Sequence, residues 1–231
     1  MLRHSVLWTM RDPLSPAARL RMLQRLSYLV AEPPSVRSGD YGADLFGGSE
    51  VLHRVRPSQR TPTWRRGAEG PVHNFDMALH LDFPDWKSFE AYGDDPTHAE
   101  ASDANERDNW DELTARCDWY YDGDAPPTHA GRVKHVAMFV WTEAASEAAK
   151  AAALEAVQDL AGLAEVGAVV TGENVGKAPT AFDWIMDIDL ADRDAATRLL
   201  KGEAYERAMA TVADATRFEW TARMSHVMHR R

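Results

Sequence analysis

The feature that most constrains this chain is that it repeats itself. "LRHSVLWTM" near the start returns as "VKHVAMFVW", with His4 matched by His135 at an offset of 131. Ser15 matches Ser146 at the same offset, and Gly42 of "DYGADL" matches Gly172 of "VTGENV" at 130. "FDMALHLDF" and "FDWIMDIDL" align through Phe75 and Phe182 at 107, as do "PTHAEASDA" and "EAYERAMAT". The fall from 130 to 107 puts 23 extra residues into the first copy, between Gly42 and Phe75. The repeat divides the 231 residues into a first domain, 1–122, with an insert at about 47–73, and a second domain, 133–231. Residues 123–132, within "DGDAPPTHAGR", read as a linker by composition.

Each copy reads β-α-β-β-α-β. In the first strand His4, Val6 and Trp8 share one face, and Ser5 and Leu7 the other. Ser15 is a good N-cap with Pro16 at the first helical position, and Leu20, Leu23, Leu26 and Val30 then recur at helical spacing. Ser146 caps the matching helix, which offers Ala152, Val157, Leu160 and Leu163 to a core. Second strands end at Gly42 and Gly172, and third strands alternate after Phe75 and Phe182. "DWKSFEAYGDDPTHAEASDANERDNWDEL" holds two helical stretches broken near Asp94 to Pro96. "ARCDWYYD" and "ARMSHVMHR" close the copies as fourth strands. The fold class is therefore α+β: tandem ferredoxin-like repeats. Each sheet, covered by helices on one side, needs a partner for its other side, and the tandem supplies it as an intramolecular dimeric α/β barrel.

A formal charge of −10 argues against a nucleic-acid partner. No apolar run approaches the roughly 18 residues of a membrane span, and the N-terminus lacks the pattern of a signal peptide. The single cysteine, Cys117, excludes an intrachain disulfide, which favours a cytoplasmic location. It reads as a buried structural thiol. The expected partner is a small-molecule substrate; a homodimer is compatible with the fold but not required by it.

"RHSVLWTM", "DYGADL", "FDMALHLDF" and "FEAYGDDPTHAEASD" together resemble the Dabb family of stress-responsive, dimeric α/β-barrel proteins. The marks are a histidine early in the first strand, a glycine-ended second strand, and a tyrosine and histidine flanking the opening of the last helix. The resemblance covers nearly the whole chain outside the insert and linker. The family includes polyketide cyclases of the olivetolic acid cyclase type alongside stress-induced proteins without an assigned reaction. It implies a cofactor-free acid–base site in which His98 is base, Tyr92 acid and His4 a second acid–base or orienting group. A third-strand pocket histidine of the cyclases is replaced by Met77. In the second copy only His135 survives, with Leu199 and Tyr205 at the tyrosine and histidine positions.

The residues themselves allow the same chemistry. If the His4 face lines the barrel, burial among apolar groups keeps the imidazole neutral. A structural histidine bonded to nearby groups is the equal alternative, because His135 persists where the rest of the site is lost. His98, at a helix N-terminus, faces the positive end of the helix dipole, which also disfavours its charged form. Trp8, Met77, Leu79, Trp110 and Trp119 are candidates to line an apolar pocket, though such residues are more often core. The insert is strongly basic, and Arg54 and Arg65 could bind an anionic group there; a solvated loop is the simpler reading. The nine histidines show no tight metal-ligand spacing, so no metal is expected. Three functions follow: a cyclase, lyase or isomerase acting on a partly apolar carbonyl compound; a monooxygenase of the antibiotic-biosynthesis type, cofactor-free or haem-bound; or a non-catalytic stress or ligand-binding protein.

Overall fold

A computed structural model describes residues 1–10, 15–46, 73–108, 110–122, 130–176 and 182–230. The first copy contributes β1 (Leu2–Met10), α1 (Pro16–Ala31), β2 (Ser38–Ala43), β3 (His73–Asn74), β4 (Met77–Phe83), α2 (Trp86–Gly93), α3 (Pro96–Asp108) and β5 (Trp110–Tyr120). The second contributes β6 (Val133–Phe139), α4 (Glu147–Gln158), β7 (Val166–Glu173), β8 (Trp184–Leu190), α5 (Arg193–Lys201), α6 (Glu203–Ala215) and β9 (Ala222–Val227). The strand orders β2-β4-β1-β5 and β9-β6-β8-β7 are the same ferredoxin-like order twice, with all neighbours antiparallel. Two-residue β3 leaves its own copy and pairs parallel to β9 at the edge of the second sheet.

The sequence signals explain most boundaries. Ser15 accepts a hydrogen bond from the Ala18 amide at 3.2 Å, and Ser146 does the same for Ala149, so both predicted caps are in place. On α1 the buried face is Ala18, Met22, Leu26, Leu29 and Val30, while Leu20, expected in the core, points to solvent. On α4 it is Ala153 and Val157 that are buried, and Ala152 is exposed. The second helical stretch stops at Asp108, and "WDEL" belongs to the strand instead.

The sheets face each other and close along both edges. Tyr41 and His229 exchange backbone hydrogen bonds of 3.2 and 3.0 Å at one seam. At the other, the Val175 amide donates to Asp118 O at 2.6 Å and the Phe182 amide to Arg116 O at 3.1 Å. The repeated glycines sit at these seams. A Cβ on Gly42 would lie 2.6 Å from Val227 O, and one on Gly172 would collide with the Trp119 ring. Only a residue without a side chain lets the strands approach so closely.

Three apolar cores result. One fills the barrel between the sheets, with Leu7, Ala78, Cys117, Trp119, Val136, Met138, Ile185 and Met224. The others lie between each sheet and its own helices. Cys117 is wholly buried, and that burial pushes its thiol pKa up, as a structural thiol requires.

The barrel also encloses charge. Arg3, fully buried, forms a two-pronged pair with Asp82 at 2.7 and 3.0 Å and reaches across to Asp187 at 2.8 Å. Lys134, which the repeat aligns with Arg3, reaches back to Asp40 at 2.7 Å and touches Asp187 at 3.2 Å. Each half thus places a cation on a carboxylate of the other. Burial opposes the charge on Arg3, but Asp82, then Asp187 and Asp40, outweigh it and raise its pKa.

Candidate functional site

Antiparallel pairing sets His4 opposite Asp118 and Val6 opposite Arg116. These side chains lie on the helix side of the sheet. The face with His4, Val6 and Trp8 therefore does not line the barrel; the barrel side of β1 is Arg3, Ser5 and Leu7. Both faces of β1 are buried, so alternation alone did not tell them apart.

Between that face and α1, α2 and α3 lies a cavity of about 280 Å³. Its floor is His4, Val6 and Trp8 of β1, Leu79 of β4, and Arg116 and Asp118 of β5. Phe89, Tyr92 and Gly93 of α2 and His98 and Asn105 of α3 form much of its roof. Asp85 caps α2 by accepting from the Ser88 amide at 2.8 Å, which orients Phe89 and Tyr92 toward the sheet. The break at Asp94 to Pro96 then turns the chain back, and the His98 ring meets that of Tyr92 at a tilt of 46°, with centroids 4.4 Å apart. The His4 ring lies 6.3 Å from that of Tyr92 between centroids. The three residues named from the sequence are thus together.

Hydrogen bonds orient both imidazoles. His4 Nδ1 lies 2.5 Å from Asp118 Oδ1. A carboxylate only accepts, so Nδ1 carries the hydrogen that joins the two side chains. His98 Nδ1 contacts the Gly93 carbonyl at 3.3 Å, which assigns its tautomer in the same way. Burial lowers the His98 pKa; the Gly93 bond opposes this, and the charges of His4 and Arg116 add to the lowering. Burial, followed by the charge of Asp95, raises the Tyr92 pKa, so the phenol keeps its proton at neutral pH. The site therefore offers an imidazole base, His98, and a phenolic donor, Tyr92, with a second imidazole, His4, held by Asp118.

Of the expected lining residues, Trp8 and Leu79 face the cavity. Met77 is fully buried on the same face but belongs to the core beside it. Trp119 is in the barrel. Trp110 opens β5, but its side chain lies outside the described ones, as do Arg54 and Arg65 entirely. Sequence reasoning missed Asp118, Arg116 and Phe89. "ARCDWYYD" does alternate Arg116 and Asp118 against Cys117 and Trp119, but only the register with β1 brings the first pair to His4.

The second copy has the same address with different contents. His135 bonds Ser225 Oγ through Nδ1 and Tyr205 Oη through Nε2, both at 2.8 Å, and all three residues are 0% exposed. Ser225 stands where the first copy has Asp118, and the Tyr205 hydroxyl occupies the other ring nitrogen, Nε2. This histidine is structural. Burial, then Arg223, pushes its pKa down to about 3, against about 6.5 in an unfolded chain. Between these values the unfolded state binds the extra proton, so stability is complete above about pH 6.5 and falls as the pH drops toward 3. The expected slope is roughly a kcal/mol per pH unit. Urea unfolding at pH 7 and pH 5 measures it, and His135→Gln should flatten it; an unchanged slope would show that His135 is not held neutral.

One group of possible metal ligands is present among the described residues. Asp40, His80 and His226, from β2, β4 and β9, bring ligand atoms within 4.8 Å of one another inside the barrel. Lys134 Nζ, 2.7 Å from Asp40, already supplies a positive charge there. Burial, then Lys134, lowers the His80 pKa. Among the described residues, no helix is long and apolar enough to cross a membrane.

Fold and site define a tandem ferredoxin-like α+β barrel with a cavity between the first sheet and its helices. Comparisons with family models and with characterised proteins give no match. Among solved structures, the chain is similar to an anthrone oxidase-like protein, 12% identical, with a TM-score of 0.66 over 100% of this chain and 92% of that one. It is also similar to a Lactobacillus acidophilus chain provisionally described as a monooxygenase, 9% identical, with a TM-score of 0.54 over 99% and 93% of the two chains. A Dabb family protein with a ferredoxin-like fold from Mesorhizobium loti aligns over 53% of this chain and 97% of its own, at 15% identity and a TM-score of 0.35. At these identities the likeness is one of fold.

Proposed function

We propose that the protein is a cofactor-independent enzyme that removes a proton alpha to the carbonyl of a small, partly apolar substrate, as a cyclase, lyase or isomerase. The observation that carries this reading is the meeting of His4, Tyr92 and His98 in one cavity with apolar walls. His98 Nε2 takes the proton and becomes imidazolium, while the Tyr92 hydroxyl donates a hydrogen bond to the oxygen that becomes an enolate. His4, held by Asp118, returns or relays a proton. Reprotonation at another carbon gives an isomerase, attack on a second carbonyl a cyclase, and expulsion of a leaving group a lyase. The pocket size suits a substrate of one or two rings, and the polyketide-like case of the family resemblance falls within that range.

The direct test is solvent exchange. In D2O, aryl and alkyl ketones incubated with the protein should lose alpha-proton NMR signal faster than in buffer, and His98→Ala should abolish the excess. No excess exchange with any ketone tested would count against the reading. A monooxygenase is the second reading, favoured by two structural neighbours that align over nearly the whole chain, one named a monooxygenase and one anthrone oxidase-like. It would begin with the same proton abstraction and pass the carbanion's electrons to O2. Oxygen consumption by the purified protein separates the two.

A further inference from the structure

The cavity has one wall that the acid–base residues leave unexplained. On the helix side of β5, Thr114, Arg116 and Asp118 alternate opposite Trp8, Val6 and His4. Asp118 is engaged by His4 through its carboxylate and by Asn174 through its amide. Arg116 sits in the middle of this row and lines the cavity, near enough to His98 for its charge to disfavour the imidazolium. Around them, Val6, Trp8, Leu29, Leu79 and Phe89 are apolar. A ligand that fills this space meets the Arg116 guanidinium on the sheet side, the His98 imidazole and Tyr92 phenol on the helix side, and hydrocarbon over much of the rest, with Ser102 and Asn105 as further polar groups beside the His4–Asp118 pair.

That pattern complements a small anion with an apolar body. A planar guanidinium matches a carboxylate in geometry as well as charge, and an enclosed, partly apolar site weakens such a pair less than water does. We propose that the cavity selects carbonyl compounds bearing a carboxylate, with Arg116 receiving the carboxylate and holding the alpha carbon beside His98. The proposal rests on the acid–base reading only for the role of His98; the selection itself is a binding property. The same charge would stabilise an enolate formed next to it, so affinity and proton removal are served by one residue.

The second copy has the same residue in a different setting. Arg223, at the repeat position of Arg116, is 1% exposed beside the closed His135, Tyr205 and Ser225 cluster. An arginine on this strand face is thus part of the repeat, and in the first copy it lines a cavity.

The experiment is calorimetric binding of a matched pair of probes, 3-phenyl-2-oxopropanoate and its methyl ester, to the full chain. The acid should bind at least about tenfold more tightly than the ester, the range of one hydrogen-bonded charge pair. Added salt should narrow that gap, Arg116→Gln should bring the acid to the level of the ester without weakening the ester, and Arg116→Lys should keep part of the preference. Equal binding of acid and ester by the unaltered protein, or no binding of the acid, overturns the proposal. So does an Arg116→Gln variant that melts normally and loses both probes alike. Should Arg116→Gln fail to fold, the acid-to-ester ratio of the unaltered protein and of Arg116→Lys decides. His98→Ala keeps the two readings apart: lost alpha exchange with a kept acid preference leaves this proposal standing, and kept exchange without the preference sinks this proposal alone.

Discussion

Arg3→Ala is expected to cost about 3–5 kcal/mol of folding stability, the range for breaking a buried ion pair from one side. Such a loss is a large share of the roughly 5–15 kcal/mol that holds a typical domain together. The physical reason is what remains. Asp82 would lose both of its guanidinium bonds and keep the Ser38 hydroxyl at 2.8 Å, and Asp187 would depend on Lys134 alone. Two carboxylates would then be buried with too little positive charge near them. The Arg3 stem and fork also pack against Trp119 and Tyr121, with the guanidinium 5.8 and 5.2 Å from their ring centres. Urea unfolding at pH 7 measures the loss. Arg3→Met with Asp82→Asn should recover part of it, because the uncompensated charge is removed while volume is kept. If Arg3→Ala alone cost less than about 1 kcal/mol, as surface pairs do, the network would not be what joins the halves.

His98→Ala is expected to lower turnover by about 10²–10⁴, the usual contribution of a positioned general base. Its folding stability should hardly change, because the ring is only half-buried and its hydrogen bond to Gly93 O is long, at 3.3 Å. Tyr92→Phe should retain more activity, since the carbonyl oxygen can still be met by water. The pH profile carries the sign. A base must be neutral to act, and burial lowers the His98 pKa, so the acid limb should lie below the usual histidine value of about 6.5. Tyr92 is shifted upward, so the alkaline limb should lie above the usual tyrosine value of about 10. An acid limb well above 6.5, or one unmoved by His98→Ala, would remove His98 from the role of base.

The repeat made the topology legible. A break in self-similarity located the insert, serine caps located two helices, and the matched glycines marked the seams, although their role in close approach appeared only with the paired strands. The orientation of the sheets was not legible, for a reason particular to this fold. In a sheet with one wet face, polar residues mark the outside. Here both faces are covered, and the more polar side of β1, with Arg3 and Ser5, is the one turned inward to meet charges from the other half. His4, Tyr92 and His98 could be proposed because they stand in short local motifs. Asp118 and Arg116 could not, because their part in the site depends on which residue of β1 each one faces.

Joining the two halves in one polypeptide changes what each is free to become. Two identical chains that meet as a pair must carry every alteration twice, so a residue that fills the pocket of one fills the pocket of both. Here the closed centre of His135, Tyr205 and Ser225 and the open one of His4, Tyr92 and His98 share a barrel without sharing a sequence. The covalent link also makes the pairing independent of dilution, since the partner sheet is always present. The second half can therefore serve as foundation alone, and the first can keep an unfilled space in its interior at a cost that its neighbour's packing helps to offset.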